Sequence, residues 1–370
     1  MRLMHISDLH LGKIVHDVNM IDDQKEALDK VCEMIAYNNV DLLIVAGDIY
    51  DKTTPSAEAM NLFNEFLLKL SSININTLII SGNHDSSVRL DYLSSFLKKQ
   101  NIFISKPFDG SLEKYSFKDE FGDINFYLLP FFKLSQAKSY LNINFNNYDE
   151  AITKMIENEN IDFNQRNVLV AHQFVVGAST CDSEEISIGG LDGLSYESLI
   201  DFDYVALGHL HGPQKIGKEH IRYSGTLLKY SFSEVNHKKS ICLIDMLEKG
   251  NININLEKFN VSKDMKEYRG SYDYLYNLKY TEDYVRVVLT DEEVYPDSRI
   301  NLLSVFPNMM RFAIENSKTN YDMSIKDLEN FEKMSPIALF TDFYSMQNNN
   351  KQPSEKQLQV IQALISGEEI

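Results

Sequence analysis

Leu42-Leu43-Ile44-Val45-Ala46-Gly47-Asp48 is the stretch that decides the fold. Five consecutive apolar residues leave no face for solvent, the mark of a central strand covered on both sides by helices. The glycine that follows lets the chain turn sharply at the strand's end. Helical spacing flanks this strand. Ala27, Leu28, Val31 and Ile35 share one face of a helix over 22–38, and Ala59, Leu62, Phe63, Phe66 and Leu70 share one face of a helix over 56–70. Leu3-Met4-His5-Ile6 comes before the first helix and Thr77-Leu78-Ile79-Ile80 after the second. The order strand, helix, strand, helix, strand implies an α/β sheet. Further strands are expected at Phe126-Tyr127-Leu128-Leu129, Val168-Leu169-Val170-Ala171 and Val205-Ala206-Leu207, with a helix near 149–158. From about 215 the pattern is hairpin-like: Ile221-Arg222-Tyr223, a Ser224-Gly225 turn, then Ile241-Cys242-Leu243-Ile244 before Lys249-Gly250-Asn251.

With 370 residues and 44% apolar composition, the chain can bury one large core and carry a second, smaller unit. Its formal net charge of -18 argues against coating nucleic acid through a basic surface, so any such contact is local or supplied by a partner. Cys32, Cys181 and Cys242 are far apart and odd in number, which indicates neither disulfides nor a thiolate metal site and fits a reducing cytoplasm. No apolar run approaches the ~18 residues of a membrane span, and the strand at the very start argues against a cleavable signal peptide. Composition shifts near residue 260. Tyr284-Val285-Arg286-Val287-Val288-Leu289 and Met310-Arg311-Phe312-Ala313-Ile314 flank a helix expected near 297–305, which suggests a small β/α unit. In the tail, Ser335-Pro336 starts one amphipathic helix carrying Ile337, Phe340, Phe343 and Tyr344. Ser354 with Gln357 forms a capping box for a second, carrying Leu358, Ile361, Leu364 and Ile365 and ending at Gly367. Two such helices cannot form a core alone, so they pack back on the body or dock on another protein.

Five segments end alike, at the mouths of strands: Asp8-Leu9-His10, Gly47-Asp48, Gly82-Asn83-His84-Asp85, His172 and Gly208-His209-Leu210-His211. A pair of divalent cations needs a bridging carboxylate, several neutral N or O ligands and open positions for water and substrate. Asp48, after the most buried strand, is the natural bridge. Asp8, His10, Asn83, His172, His209 and His211 complete two shells. Two carboxylates against two dications leave the site positive by about two, so it attracts a phosphate anion. The mixed N/O set suits Mn²⁺, with Fe or Zn²⁺ as substitutes and Mg²⁺ a poor fit. The expected chemistry is in-line attack on phosphorus by a bridging hydroxide, with His84 protonating the leaving oxygen. Asp51 and Asp85 read as loop-capping carboxylates, one of which can instead orient His84, with Asp51 preferred. Asp182, Glu184 and Glu185 read as a solvated acidic loop, and His5, His16, His220 and His237 as structural or solvated.

Together these motifs resemble the calcineurin-like metallophosphoesterase superfamily. More specifically, Ser7-Asp8-Leu9-His10-Leu11-Gly12-Lys13, Ala171-His172-Gln173-Phe174, Phe202 to His211, Tyr223-Ser224-Gly225-Thr226 and Leu228 to Glu234 resemble the SbcD family of DNA double-strand-break repair nucleases. The resemblance implies an α/β sandwich nuclease domain over 1–260, a β/α capping domain for DNA-end selection over 261–318, and a helical tail over 319–370 that docks on an SbcC-type ABC ATPase. It implies that Asp8, His10, Asp48 and His211 hold one Mn²⁺ and that Asp48, Asn83, His172 and His209 hold the other. His84 would be catalytic, with Asp51 its partner. The implied activity is exonuclease and single-strand endonuclease cutting at double-stranded ends and hairpins. The assembly implied is a cytoplasmic homodimer within a heterotetramer, in which this chain itself binds no nucleotide. Three alternatives stand beside it. The first is a phosphomonoesterase or protein phosphatase; in the protein phosphatases of this scaffold an Arg-Gly pair grips the phosphate, where Lys52-Thr53 follows Asp51 here. A cyclic-nucleotide phosphodiesterase leaves the tail helices without a purpose. A non-catalytic scaffold subunit should have lost ligands, whereas all seven are present.

Overall fold

The computed structural model describes residues 1–184, 193–317, 335–347 and 351–366. The chain divides into two compact units, Met1–Met265 and Lys266–Ile370. In the first, the elements run β1 (Arg2–Ile6), α1 (Ile21–Tyr37), β2 (Leu42–Ala46), α2 (Ala57–Ser72), β3 (Asn76–Ile80), β4 (Ile102–Ile104), β5 (Glu113–Asp119), β6 (Gly122–Leu129), α3 (Leu134–Leu141), α4 (Tyr148–Asn158), β7 (Arg166–His172), β8 (Tyr204–Gly208), β9 (Gln214–Ile216), β10 (Lys218–Tyr223), β11 (Ser240–Met246) and β12 (Ile252–Lys258).

These strands form two six-stranded sheets, ordered β12-β11-β1-β2-β3-β4 and β9-β10-β8-β7-β6-β5. Their inner faces meet in one apolar cluster that includes Leu42, Ile44 and Ala46 from the first sheet and Phe126, Leu128, Val168, Val170 and Ala206 from the second. Leu43 and Val45 alternate to the outer face of β2 and are equally buried. The stripes read from the sequence on α1 and α2 are buried throughout. On the outer face of the second sheet, Tyr127, Leu129, Leu169 and Val205 share a core with Ala137 of α3 and Ala151, Ile152 and Met155 of α4. The result is the layered α/β sandwich expected from the motifs.

The hairpin expected around Ser224-Gly225 is absent. β10 pairs antiparallel with β9 in the second sheet, whereas β11 pairs antiparallel with β1 and β12 in the first. Residues 224–239 therefore carry the chain from one sheet to the other. The turn expected at Lys249-Gly250-Asn251 does close the β11–β12 hairpin, with Leu247 N donating to Asn251 O.

In the second unit, β13 (Met265–Gly270), β14 (Tyr284–Leu289) and β15 (Met309–Ile314) form a three-stranded sheet in which β14 and β15 run parallel. Leu275, Val285, Val287, Leu289, Leu302 and Phe306 make its core. The helix expected over 297–305 is shorter, Ser298–Leu302, and its chain continues in turns. α5 (Pro336–Gln347) begins with Ser335 Oγ accepting from Ala338 N. α6 (Glu355–Ser366) carries the reciprocal box, in which Ser354 N donates to Gln357 Oε1 and Gln357 N to Ser354 Oγ. Residues 319–334, Glu185 and Gly367 lie outside the described residues. No helix among the described residues is long and apolar enough to cross a membrane.

Candidate metal centre

Strands β1, β2 and β3 run parallel to one another, as do β7 and β8, and the carboxyl ends of both sets meet at one edge of the sandwich. Asp8 and His10 follow β1, Asp48 follows β2, and Asn83 and His84 follow β3. His172 is the last residue of β7, and His209 and His211 follow β8. Asp8 (φ +54°), His10 (φ +45°), Asp48 (φ +50°) and His209 (φ +111°) all have positive φ, which side chains other than glycine rarely adopt. The loops lock together through the main chain: Asp8 N donates to Gly47 O and His10 N to Asp48 O, each at 3.0 Å. Gly47 and Gly208 flank the His172 ring, and a Cβ on Gly208 would overlap the Ala46 carbonyl. That close approach lets His172 Nδ1 reach Ala46 O at 2.8 Å, stitching one sheet to the other.

All seven expected ligands face one buried centre. Asp8, His10 and His211 offer donor atoms within 4.8 Å of one another, as do Asp8, Asp48 and His172. Asp48 Oδ2 lies between the two sides, 3.4 Å from His172 Nε2 and 3.6 Å from His10 Nε2. Asn83 Oδ1 is 3.0 Å from His172 Nε2 and 2.9 Å from His209 Nδ1.

Proton positions test whether this set fits cations. A carbonyl only accepts, so the contact with Ala46 puts a hydrogen on His172 Nδ1 and leaves the neutral ring's lone pair on Nε2. That lone pair faces the Asn83 oxygen and the Asp48 carboxylate. Three acceptors converging in a buried space require a cation or a proton among them. Without a metal, a proton is favoured: burial alone would lower the His172 pKa, but Asp48 outweighs it and raises it to about 9. Burial likewise works to raise Asp48, yet the charge and hydrogen bond of His172 hold it well below the usual carboxylate range. Burial pushes Asp8 up to about 6 against the pull of His172, and lowers His209 to about 3 with help from the His172 charge. The N/O donor set therefore fits a pair of divalent cations.

His84 stands at the rim, its ring centroid 4.8 Å from that of His10. Its main-chain N donates to Asp48 Oδ1 at 2.9 Å, and its Nδ1 donates to the main-chain carbonyl of Asp51 at 2.9 Å. The expected partner residue is thus adjacent, but through its backbone. The Asp51 carboxylate instead pairs with Lys13 at 2.7 Å and lies 3.7 Å from His10 Nδ1. Asp85 is a loop cap, accepting from Gly82 N, Ile49 N and Tyr50 N.

The reading of Glu184 as merely solvated needs correction, whereas Asp182 is exposed as expected and Glu185 lies outside the described residues. Glu184 accepts from the main-chain N of His211, and Ser183 Oγ lies 2.7 Å from His211 Nδ1. Behind Ser183 sits Glu234, fully buried and paired with the buried Lys239 at 2.6 Å. Two further residues were not singled out as functional from the sequence. Gln24 donates to His10 O at 2.8 Å, and the Tyr230 hydroxyl donates to Leu9 O at 2.7 Å, fixing the first ligand loop. The one sequence signal for this outer set is that Tyr230 and Glu234 sit in a stretch that resembles the family.

The calcineurin-like phosphoesterase family matches residues 1–213, and a family described as the Type 5 capsule protein repressor C-terminal domain matches residues 261–348. The SbcD subunit of the SbcCD nuclease from Staphylococcus epidermidis is 30% identical over 353 residues, covering 93% of this chain and 92% of that relative. Among solved structures, a Thermus thermophilus protein aligns over 69% of this chain and 98% of its own at 11% identity and TM-score 0.40. A dimetal phosphatase from Danio rerio aligns over 70% and 96% at 13% identity and TM-score 0.41.

Proposed function

The chain belongs to the SbcD family of calcineurin-like phosphoesterase nucleases, and from that premise we propose that it is a manganese-dependent DNA nuclease. It acts with an SbcC-type ABC ATPase in DNA repair and recombination. It hydrolyses phosphodiester bonds at double-stranded ends and hairpins, as an exonuclease and single-strand endonuclease. The observation that supports the metal reading is the meeting of His172 Nε2, Asn83 Oδ1 and Asp48 Oδ2 in a buried space, where a cation, or in its absence a proton on His172, must join them.

Asp8, His10, Asp48 and His211 would hold one cation, and Asp48, Asn83, His172 and His209 the other. When bound, such a pair supplies Lewis-acid polarisation of the phosphoryl group and lowers the pKa of the attacking water. The protein's own residues do the rest. Asp8 and Asp48 supply the negative charge of the shell, so the loaded pocket stays cationic and draws a phosphodiester into a chain whose net charge is -18. His84, aimed by its bond to the Asp51 carbonyl, is placed at the rim to deliver a proton to the leaving oxygen.

The second unit serves recognition and assembly: a capping domain over 261–318 that helps select DNA ends, and tail helices that dock on the ATPase. Phe343 and Leu364 on those helices are 59% and 60% exposed, which supports docking. Val88, Tyr92 and Phe96, after the His84 loop, are also exposed apolar residues and support pairing with a second copy in a heterotetramer. Free cysteines at 32, 181 and 242 support a cytoplasmic setting.

The test is to incubate the purified chain, with and without its ATPase subunit, with Mn²⁺ and end-labelled duplex or hairpin DNA, using His84→Ala as control. Shortening of the labelled strand that requires His84 and Mn²⁺ supports the reading. Turnover of phosphomonoesters with intact duplex ends refutes it.

A further inference from the structure

His211 is held more tightly than a buried ligand requires, and the residues that hold it lie outside the ligand shell. Its main-chain N donates to Glu184, and its main-chain O accepts from Lys239 Nζ at 2.9 Å. Its ring Nδ1 meets Ser183 Oγ at 2.7 Å, and that hydroxyl donates to Glu234 Oε1 at 2.6 Å. The proton order along this chain is forced. A carboxylate only accepts, so the Ser183 hydrogen points to Glu234 and the serine oxygen is left to accept from His211. His211 must therefore carry its hydrogen on Nδ1. Its lone pair is then on Nε2, the atom that faces His10 Nε2 at 3.1 Å across the centre.

Glu234 has 0% exposure and is fixed from three sides: by Ser183, by Tyr230 N at 3.2 Å and by Lys239. Lys239 bonds both Glu234 and the His211 carbonyl, so one ion pair clamps the ligand at its ring and at its backbone. Burying two charges carries a heavy desolvation penalty, and a well-packed apolar pair of equal volume is often no less stable. Stability alone does not account for Glu234 and Lys239. Orientation of a ligand does, because an outer carboxylate fixes the imidazole tautomer and raises its basicity toward a cation.

We propose that Glu234 is a positioning residue that acts through Ser183 on His211 and sets the affinity of one of the two cation positions, the one His211 shares with Asp8 and His10. The inference rests on the two-cation reading above and deepens it. Removing the relay weakens one Mn²⁺ step about 10- to 100-fold, the range for lost outer partners of ligating histidines. The other step, which does not use His211, keeps its affinity.

Calorimetric Mn²⁺ titration of the full-length chain, with thermal unfolding in EDTA alongside, tests this. Ser183→Ala deletes the relay but leaves the Glu234–Lys239 pair intact, so it folds even where Glu234→Gln, which strands a buried lysine, does not. Selective weakening of one step in Ser183→Ala, restored in Ser183→Thr because the hydroxyl returns, supports the proposal. Two unchanged steps, equal weakening of both, or no rescue by threonine overturns it. A wild type that binds two Mn²⁺ but leaves duplex ends intact defeats the nuclease reading alone, and a wild type with fewer than two steps defeats both.

Discussion

Adding one methyl group at Gly208 tests whether the two sheets are closed by backbone contact at the metal centre. A Cβ there would overlap the Ala46 carbonyl oxygen and come within 2.7 Å of His172 Nδ1, so it drives a wedge between β2 and β8. The change in free energy has two parts. Overpacking a fixed backbone costs ~1–3 kcal/mol, and pushing His172 away from Ala46 forfeits a buried hydrogen bond worth about 1 kcal/mol. A total of about 2–4 kcal/mol lowers the melting midpoint by roughly 5–15 °C for a unit of this size. His172 is displaced as well, so Mn²⁺ binding weakens with it. Gly250→Ala is the control: a Cβ there meets nothing within 4 Å, although its φ of +79° makes any side chain somewhat strained. That strain costs ~1 kcal/mol. Thermal unfolding in EDTA and Mn²⁺ titration of both variants decide the matter. Should Gly208→Ala melt no lower than Gly250→Ala and bind Mn²⁺ like the wild type, the stitched-sheet account of the site is wrong.

Two further outcomes are expected. His84→Ala lowers kcat on duplex DNA by ~10²–10⁴, the usual worth of a general acid, yet leaves Mn²⁺ binding intact. The reason is that the bond from residue 84 to Asp48 Oδ1 is made by the main chain and survives the substitution; a matching loss of Mn²⁺ affinity would contradict this. At the far end of the sandwich, Asp119 bonds Arg166 and the Met1 ammonium, and Arg166 foremost holds its carboxyl below the ordinary range. A depressed carboxylate stabilises the fold fully above its unfolded pKa of about 4, and that contribution fades as pH falls toward the folded value. Wild type should exceed Asp119→Asn by about 1.5–3 kcal/mol at pH 7, with the gap narrowing between pH 4 and 2 in pH-dependent melting. A gap that stays constant with pH excludes the ion pair as its source.

The fold was legible where local pattern and tertiary role coincide. β2 could be read because five apolar residues in a row fit only a strand buried on both faces, and α1 and α2 because each buries one continuous stripe. The division into two sheets was not legible. Strands such as β3 and β7 carry the same apolar signature, and nothing in either says which sheet it joins. The Ser224-Gly225 pair illustrates the limit: its composition is that of a hairpin turn, but its neighbours pair elsewhere. Gly225 is needed because the chain passes close to the His211 carbonyl as it crosses between sheets, with Thr226 N donating to that oxygen at 3.2 Å.

The centre was legible for a different reason, which also bears on what it does. Each ligand lies within four residues of a strand end, so backbone geometry compresses into short motifs of Asp, Asn, His and Gly. Ser183 and Glu234 reach His211 from loops 28 and 23 residues away in sequence, and a serine beside an acidic patch has no pattern that distinguishes a brace from a solvated loop. Four of the seven inner residues carry positive φ, at a cost of order 1–3 kcal/mol each where the conformation is strained. The acceptors those turns aim inward repel one another unless something positive joins them. A chain selected only to fold would relax both features by placing ordinary strand-end residues at positions 8, 10, 48 and 209. Keeping them makes sense if binding cations returns the energy held in the loops, which ties the stability of the sandwich to the occupancy of its centre.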